Sequence, residues 1–149
     1  MRAKRIQNPE LVQEILTEVY EQVAEDNSPH PRDIPLEVLE RAVVIALKGD
    51  TGIHGIIALS IFSLNISKIS LTIRAEYHGN AQNIELARMG VQQCSILTGH
   101  PKLIMMIPME DKEQLRFAQR VGFRREGIIR SSFLRKGKLI DQYLVGITV

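Results

Sequence analysis

The segment from Asp111 to Val149, DKEQLRFAQRVGFRREGIIRSSFLRKGKLIDQYLVGITV, constrains the fold more than any other. Leu115, Ala118 and Val121 recur at helical spacing, and Gly122 stops the helix. Asp111 with Gln114 three residues later is a capping-box variant that places the helix start. The runs Arg124 to Arg135 and Leu139 to Val149 then read as two strands of a hairpin joined by Lys136-Gly137-Lys138. Helix, glycine stop and long hairpin in that order belong to a mixed α/β domain.

The upstream chain supplies the rest of the sheet. Asn8-Pro9-Glu10 is a helix start, with a capping Asn, a Pro at the first helical position and an acid at the positive helix end. Leu11, Val12, Ile15, Leu16, Val19 and Val23 follow at helical spacing, and the helix is expected to end near Glu25. The loop Asp26 to Pro31 is rich in breakers, and a short helix from Pro35 buries Leu36 and Leu39. Three strands are expected next: Ala42 to Lys48, Ile53 to Phe62 after the Gly49-Asp50-Thr51-Gly52 turn, and Lys68 to Ala75. The second is apolar on both faces, as a central strand is. The third alternates Ile69, Leu71 and Ile73 against Lys68, Ser70, Thr72 and Arg74. A helix from Gln82 to Thr98, closed by Gly99, and a strand from Lys102 to Ile107, stopped by Pro108, complete the order α-α-β-β-β-α-β-α-β-β.

With 149 residues, 44% of them hydrophobic, the chain suits one domain with a real core. Its longest apolar candidate, Ile53 to Leu64, contains His54, Gly55 and two serines and is too short for a membrane span. The N-terminus lacks the apolar run of a signal peptide, and one cysteine, Cys94, fits a reducing compartment. The expectation is a cytoplasmic protein, including the cytoplasm of a host cell. Charge is segregated: residues 1–50 are net −4, residues 51–111 net 0 and residues 112–149 net +6. The basic last third suits an anion such as a cofactor phosphate, RNA or an acidic protein; the alternative is a solvated helix face and hairpin.

The helix, Val121-Gly122-Phe123, the Phe-x-x-Glu-Gly of Phe123 to Gly127 and the Asp-x-x-Leu of Asp141 to Leu144 together resemble the end of GNAT acyltransferases, especially the RimJ/RimL type of ribosomal-protein N-acetyltransferase. The resemblance covers residues 67–149; the first half matches in element order only. It implies one GNAT-like domain, residues 1–149: a mixed, mostly antiparallel twisted sheet flanked by helices and splayed between strands 68–75 and 102–107. The family usually begins with one more strand, and the residues before Asn8 are barely long enough for it. The implied cosubstrate is acetyl-CoA, with no metal. The implied reaction is direct acyl transfer to an amine: a protein N-terminus, a Lys or a small amine. Small GNAT proteins of this kind also look similar to some encoded by tailed phages, including genes placed among head-assembly functions. A second reading is therefore an inactive GNAT-fold binding or assembly protein.

In that family the CoA pyrophosphate sits on backbone N–H groups where the third strand of this series meets the next helix, an anion site at a helix N-terminus. The signature Gln/Arg-x-x-Gly-x-Gly/Ala maps onto Glu76-Tyr77-His78-Gly79-Asn80-Ala81-Gln82-Asn83 in two registers. One puts Gly79 and Ala81 at the small positions and Glu76 at the Gln/Arg position. The other aligns Tyr77-His78-Gly79-Asn80 with Tyr-Arg-Gly-Lys, with His78 replacing Arg as donor, Ala81 at the central Gly and Asn83 at the last small position, where it either crowds a phosphate or donates to it. The resemblance also implies an oxyanion held by backbone N–H groups near Ile73, Arg74 and Ala75, and places Asp111 and Gln114 where the RimJ/RimL type has Asn and Ser. The Tyr that protonates the leaving thiolate in many members falls at Ala118, beside Phe117. Candidates for moving a proton are Glu76 at the strand end, His54 on a neighbouring strand and Tyr143 on the last strand. Each has a plainer alternative: surface turn, packed histidine and core wall.

Other constellations carry less. His30, His54, His78 and His100 show no ligand spacing, and Cys94 fits a helix core position. Arg116, Arg120, Arg124 and Arg125 form a basic ridge, but with only Phe117, Phe123 and Phe133 near it the pattern argues against a nucleic-acid stacking platform. The acceptor pocket is expected at the Asp26–Ile34 loop and the last hairpin tip, because variable loops build it in this fold. That hairpin is also where a homodimer would pair.

Overall fold

The computed structural model describes residues 1–149. Its elements are β1 (Arg2–Ile6), α1 (Pro9–Val23), α2 (Leu36–Arg41), β2 (Val43–Lys48), β3 (Ile53–Ile61), β4 (Ile66–Ile73), α3 (Asn83–Thr98), β5 (Lys102–Pro108), α4 (Lys112–Val121), β6 (Arg124–Arg135) and β7 (Lys138–Thr148). The strands form one sheet in the order β1-β2-β3-β4-β5-β7-β6. Every pairing is antiparallel except β4 with β5. No helix is long and apolar enough to cross a membrane.

Helices cover β2 and the first part of β3 on both faces, which is why these strands read as apolar runs. On one face α3 and α4 close a core of Ile45, Leu47, Ile57, Leu71, Leu86, Phe123 and their neighbours, and on the other α1 and α2 close a smaller one around Val12, Ile15, Val19, Val44 and Ile56. Each fully buried side chain contributes about 1.5–3 kcal/mol relative to exposure. Cys94 belongs to the larger core, and burial pushes its thiol up to about 12.

Asn8 and Gly99 cap their helices as their residue types favour, and Asp111 does not. Asn8 Oδ1 accepts from the N–H groups of Glu10 (2.9 Å) and Leu11 (3.3 Å), as a capping Asn does. Gly99, at φ 72°, closes α3. Asp111, by contrast, makes no side-chain cap on α4. Its carboxylate takes a bidentate pair from Arg135, 2.9 and 3.1 Å, at the end of β6. The capping-box expectation is corrected: a fork-shaped guanidinium outcompetes a single backbone N–H for that carboxylate. The family's extra first strand is present as β1, which pairs with β2 from Arg2↔Lys48 to Ile6↔Val44.

Candidate functional site

β4 and β5 pair only from Ile66↔Lys102 to Lys68↔Ile104. Both strands continue, to Ile73 and Pro108, without a ladder between them. This is the splay expected between strands 68–75 and 102–107. Its closed end is tied by Ser67 Oγ, fully buried and hydrogen-bonded to His100 Nδ1 at 2.9 Å. Across the open part, Gln114 of α4 donates from Nε2 to the Leu71 carbonyl at 3.3 Å.

The open edge of β4 carries free donors. Arg74 donates its N–H to the His54 carbonyl at 2.8 Å. In an antiparallel ladder successive residues turn their N–H groups to opposite edges, so those of Leu71 and Ile73 face the splay. Of the expected oxyanion donors, Arg74 is thereby excluded, and Ile73 is placed on the open side with Leu71 added.

After β4 the chain makes a single 3-10 turn, Ala75–Tyr77, and enters α3 through an exposed bend. Gly79 lies at φ 79°, where a side chain is strained, and a Cβ there would meet nothing within 4 Å. The N–H groups of Gly79, Ala81, Ile84 and Glu85 donate to no protein acceptor, whereas those of Asn80, Gln82 and Asn83 are used within the turn. Four free donors at the positive end of a sixteen-residue helix fit an anionic diphosphate.

The side chains of this turn hold it rather than face a ligand. Asn83 is 4% exposed; its Nδ2 donates to the Tyr77 carbonyl at 2.8 Å and its Oδ1 accepts from His54 Nδ1 at 2.9 Å. That assigns the His54 proton to Nδ1 and leaves Nε2, buried beside Gly49, without a partner. The His54 ring stacks on Tyr77 with centroids 4.1 Å apart. His78 Nε2 donates to the Ile73 carbonyl at 2.9 Å. Gln82 clips the β2–β3 turn, donating to Asp50 Oδ2 at 2.5 Å and accepting from the Asp50 N–H at 3.2 Å. Three expectations are corrected here: His78 and Asn83 do not turn donors toward a phosphate, and His54 does not face the cleft. An inward polar residue in a tight turn satisfies buried groups first, because leaving them unpaired costs more than a solvated contact gives back.

The remaining candidates are spread out. Glu76 is exposed and ion-paired to Arg74 at 3.0 Å. Arg74 also binds Glu18 of α1 at 2.8 Å and the Ile53 carbonyl at 2.9 Å, and the Glu18 hydrogen bond raises its pKa. Tyr143 is half-buried against the larger core, under the Arg125 guanidinium at 4.5 Å. Ala118 is fully buried. No group of three His, Cys, Asp or Glu side chains comes together to hold a metal.

One feature escaped the sequence reading. The last hairpin tip and the loop after α1 are latched together. Leu134 donates its N–H to Glu25 Oε2 (3.0 Å) and accepts from the Asp26 N–H (3.0 Å). Asp26 accepts from Gly137 N–H (2.8 Å) and Lys136 N–H (3.0 Å). The two segments expected to build an acceptor pocket therefore form one wall. The hydrogen bonds from Gly137 and Lys136 hold the Asp26 carboxyl below its ordinary value of 3.8. A depressed carboxyl stabilises the folded latch above the ordinary value, and that contribution is lost as pH falls through the lower folded value. Protection of the Lys136 and Gly137 amides, taken against the unstructured rate at the same pH, is expected to fall as pH drops below 3.8, and in an Asp26→Ala variant to be lost already at neutral pH.

No family model and no curated protein matches the sequence. Solved structures do match the fold. A ribosomal-protein-alanine N-acetyltransferase from Brucella melitensis superposes with a TM-score of 0.78 at 12% identity, over 100% of both chains. A GNAT-family acetyltransferase from Streptococcus pneumoniae gives 0.77 at 15% identity, over 99% of this chain and 98% of that one. The spermidine N-acetyltransferase of Vibrio cholerae, solved with CoA and spermine, gives 0.76 at 12% identity over 98% and 94%. The splayed seven-stranded sheet of this chain is the GNAT fold.

Proposed function

We propose that the protein is an acetyl-CoA-dependent N-acyltransferase that moves an acetyl group to an amine, a protein N-terminus or Lys being the favoured acceptor, as in the RimJ/RimL type. The observation that carries the reading is the junction of two features. The splay ends at Ile73, and a turn with free N–H groups at Gly79, Ala81, Ile84 and Glu85 follows directly. Bound acetyl-CoA supplies an activated acyl thioester. The four turn N–H groups hold its pyrophosphate, and the open-edge N–H groups of Leu71 and Ile73 stabilise negative charge on the acyl oxygen. Glu76 is the exposed candidate for taking the amine proton, and the ion pair with Arg74 fixes its position. The wall latched at Glu25 and Asp26 orients the amine.

A second reading has a specific support. Asp111 is tied to Arg135, His54 is buried, Tyr143 lies beneath Arg125 and no Tyr stands at Ala118. A GNAT fold with so few free acid–base groups also suits a binding or assembly factor, of the kind seen in tailed phages acting in the host cytoplasm, paired through the last hairpin. Acetyl-CoA binding with no turnover on any amine favours this second reading; turnover on peptide amines favours the first.

A further inference from the structure

The acidic first third of the chain holds only six Lys/Arg, and four of them, Arg2, Lys4, Arg5 and Lys48, line one groove of about 260 Å³ between β1–β2 and the start of α1. None of the ten acids in that third lines it. None of the four cations forms a salt bridge; Arg5, paired with Ile45, turns to the opposite face of the sheet, so Arg2, Lys4 and Lys48 supply the charge of the groove. Arg2 and Lys48 stand directly opposite one another in the β1–β2 register. Like charges in that position destabilise a sheet. Lysine on an edge strand protects it from aggregation, but that purpose needs no second cation opposed across the ladder. Ala46, Ile6, Leu11 and Ile53 supply an apolar floor and wall.

We propose that this groove binds a phosphorylated small molecule with at least two closely spaced negative charges, its apolar or aromatic part resting against Ile6, Leu11 and Ile53. Residues two apart on a strand are about 6.8 Å apart. Directly opposed residues lie about 4.5–5.5 Å apart. Arg2, Lys4 and Lys48 therefore converge on a volume suited to a diphosphate, while an acidic peptide would spread single charges along its length. The groove runs from β1 over the end of β2 to Ile53 at the start of β3, and no residue from Ile73 to Glu85 lines it. It is thus separate from the Gly79 turn, and the proposal does not depend on acyl transfer.

The test is a residue-resolved NMR titration of the full chain with ADP and, separately, inorganic pyrophosphate, each with and without saturating acetyl-CoA. The expected result is saturable shifts at the amides of Arg2 to Ile6, Lys48 and Ile53 that persist with acetyl-CoA present. A Lys4→Glu variant, with an unchanged circular dichroism spectrum, is expected to weaken this binding by at least roughly tenfold, the loss of one charge-assisted contact. Shifts confined to the Gly79–Glu85 turn, no shifts with either phosphate, undiminished binding by Lys4→Glu, or preference of the groove for a hexaglutamate peptide would each overturn the proposal. Failure of acetyl-CoA to bind leaves all of these readouts intact.

Discussion

A Gly79→Trp variant is expected to lose acetyl-CoA binding by at least roughly a hundredfold while still unfolding cooperatively. Two charge-assisted hydrogen bonds from turn N–H groups account for a loss of that size. The backbone at φ 79° admits a side chain only under strain of about 1–2 kcal/mol. The turn is exposed, and the space beside Gly79 is open, so the indole reaches the free N–H groups rather than the core. Calorimetry gives the affinity and urea denaturation the stability. Undiminished affinity in the variant would remove the pyrophosphate from this turn.

An Asn83→Ala variant is expected to be destabilised by about 1–3 kcal/mol, the cost of leaving the buried His54 Nδ1–H unsatisfied. Asn83, 4% exposed, is the acceptor for His54 Nδ1–H and also donates to the Tyr77 carbonyl, which keeps the Asn80 N–H in the variant. Because these bonds fix the path from Tyr77 into α3, the same variant is expected to bind acetyl-CoA more weakly as well. A double-mutant cycle with His54→Ala separates the shared hydrogen bond from the packing of each residue. A stability change under about 0.5 kcal/mol, the range of an ordinary surface substitution, would contradict the assigned role.

The fold was legible where local chemistry and periodicity agree. Asn8-Pro9-Glu10, Gly99 and the Lys136-Gly137-Lys138 tip each force one backbone solution, and the alternation of β4 follows from one buried face. β1 was less visible because RAKRI carries three cations in five residues; it is a strand through its pairing with β2. The turn into α3 was legible, but the partners of its side chains were not. Gly79 marked the turn, whereas the inward course of His54 and Asn83 depends on two segments meeting across 29 residues. A histidine inside an apolar strand does ask for a polar partner, and the first turn of α3 supplies it. Asp111 likewise matched a capping pattern until Arg135, 24 residues later, claimed it.

The most direct test of the central claim is a calorimetric titration of acetyl-CoA into the purified protein at low and moderate salt. Saturable one-to-one binding in the micromolar range is expected, weakened by salt because the contact is made to phosphates. Absence of heat at millimolar acetyl-CoA, with the fold intact, would contradict it: the free N–H groups from Gly79 to Glu85 would then hold no CoA, and the splay would be inherited architecture without its cosubstrate.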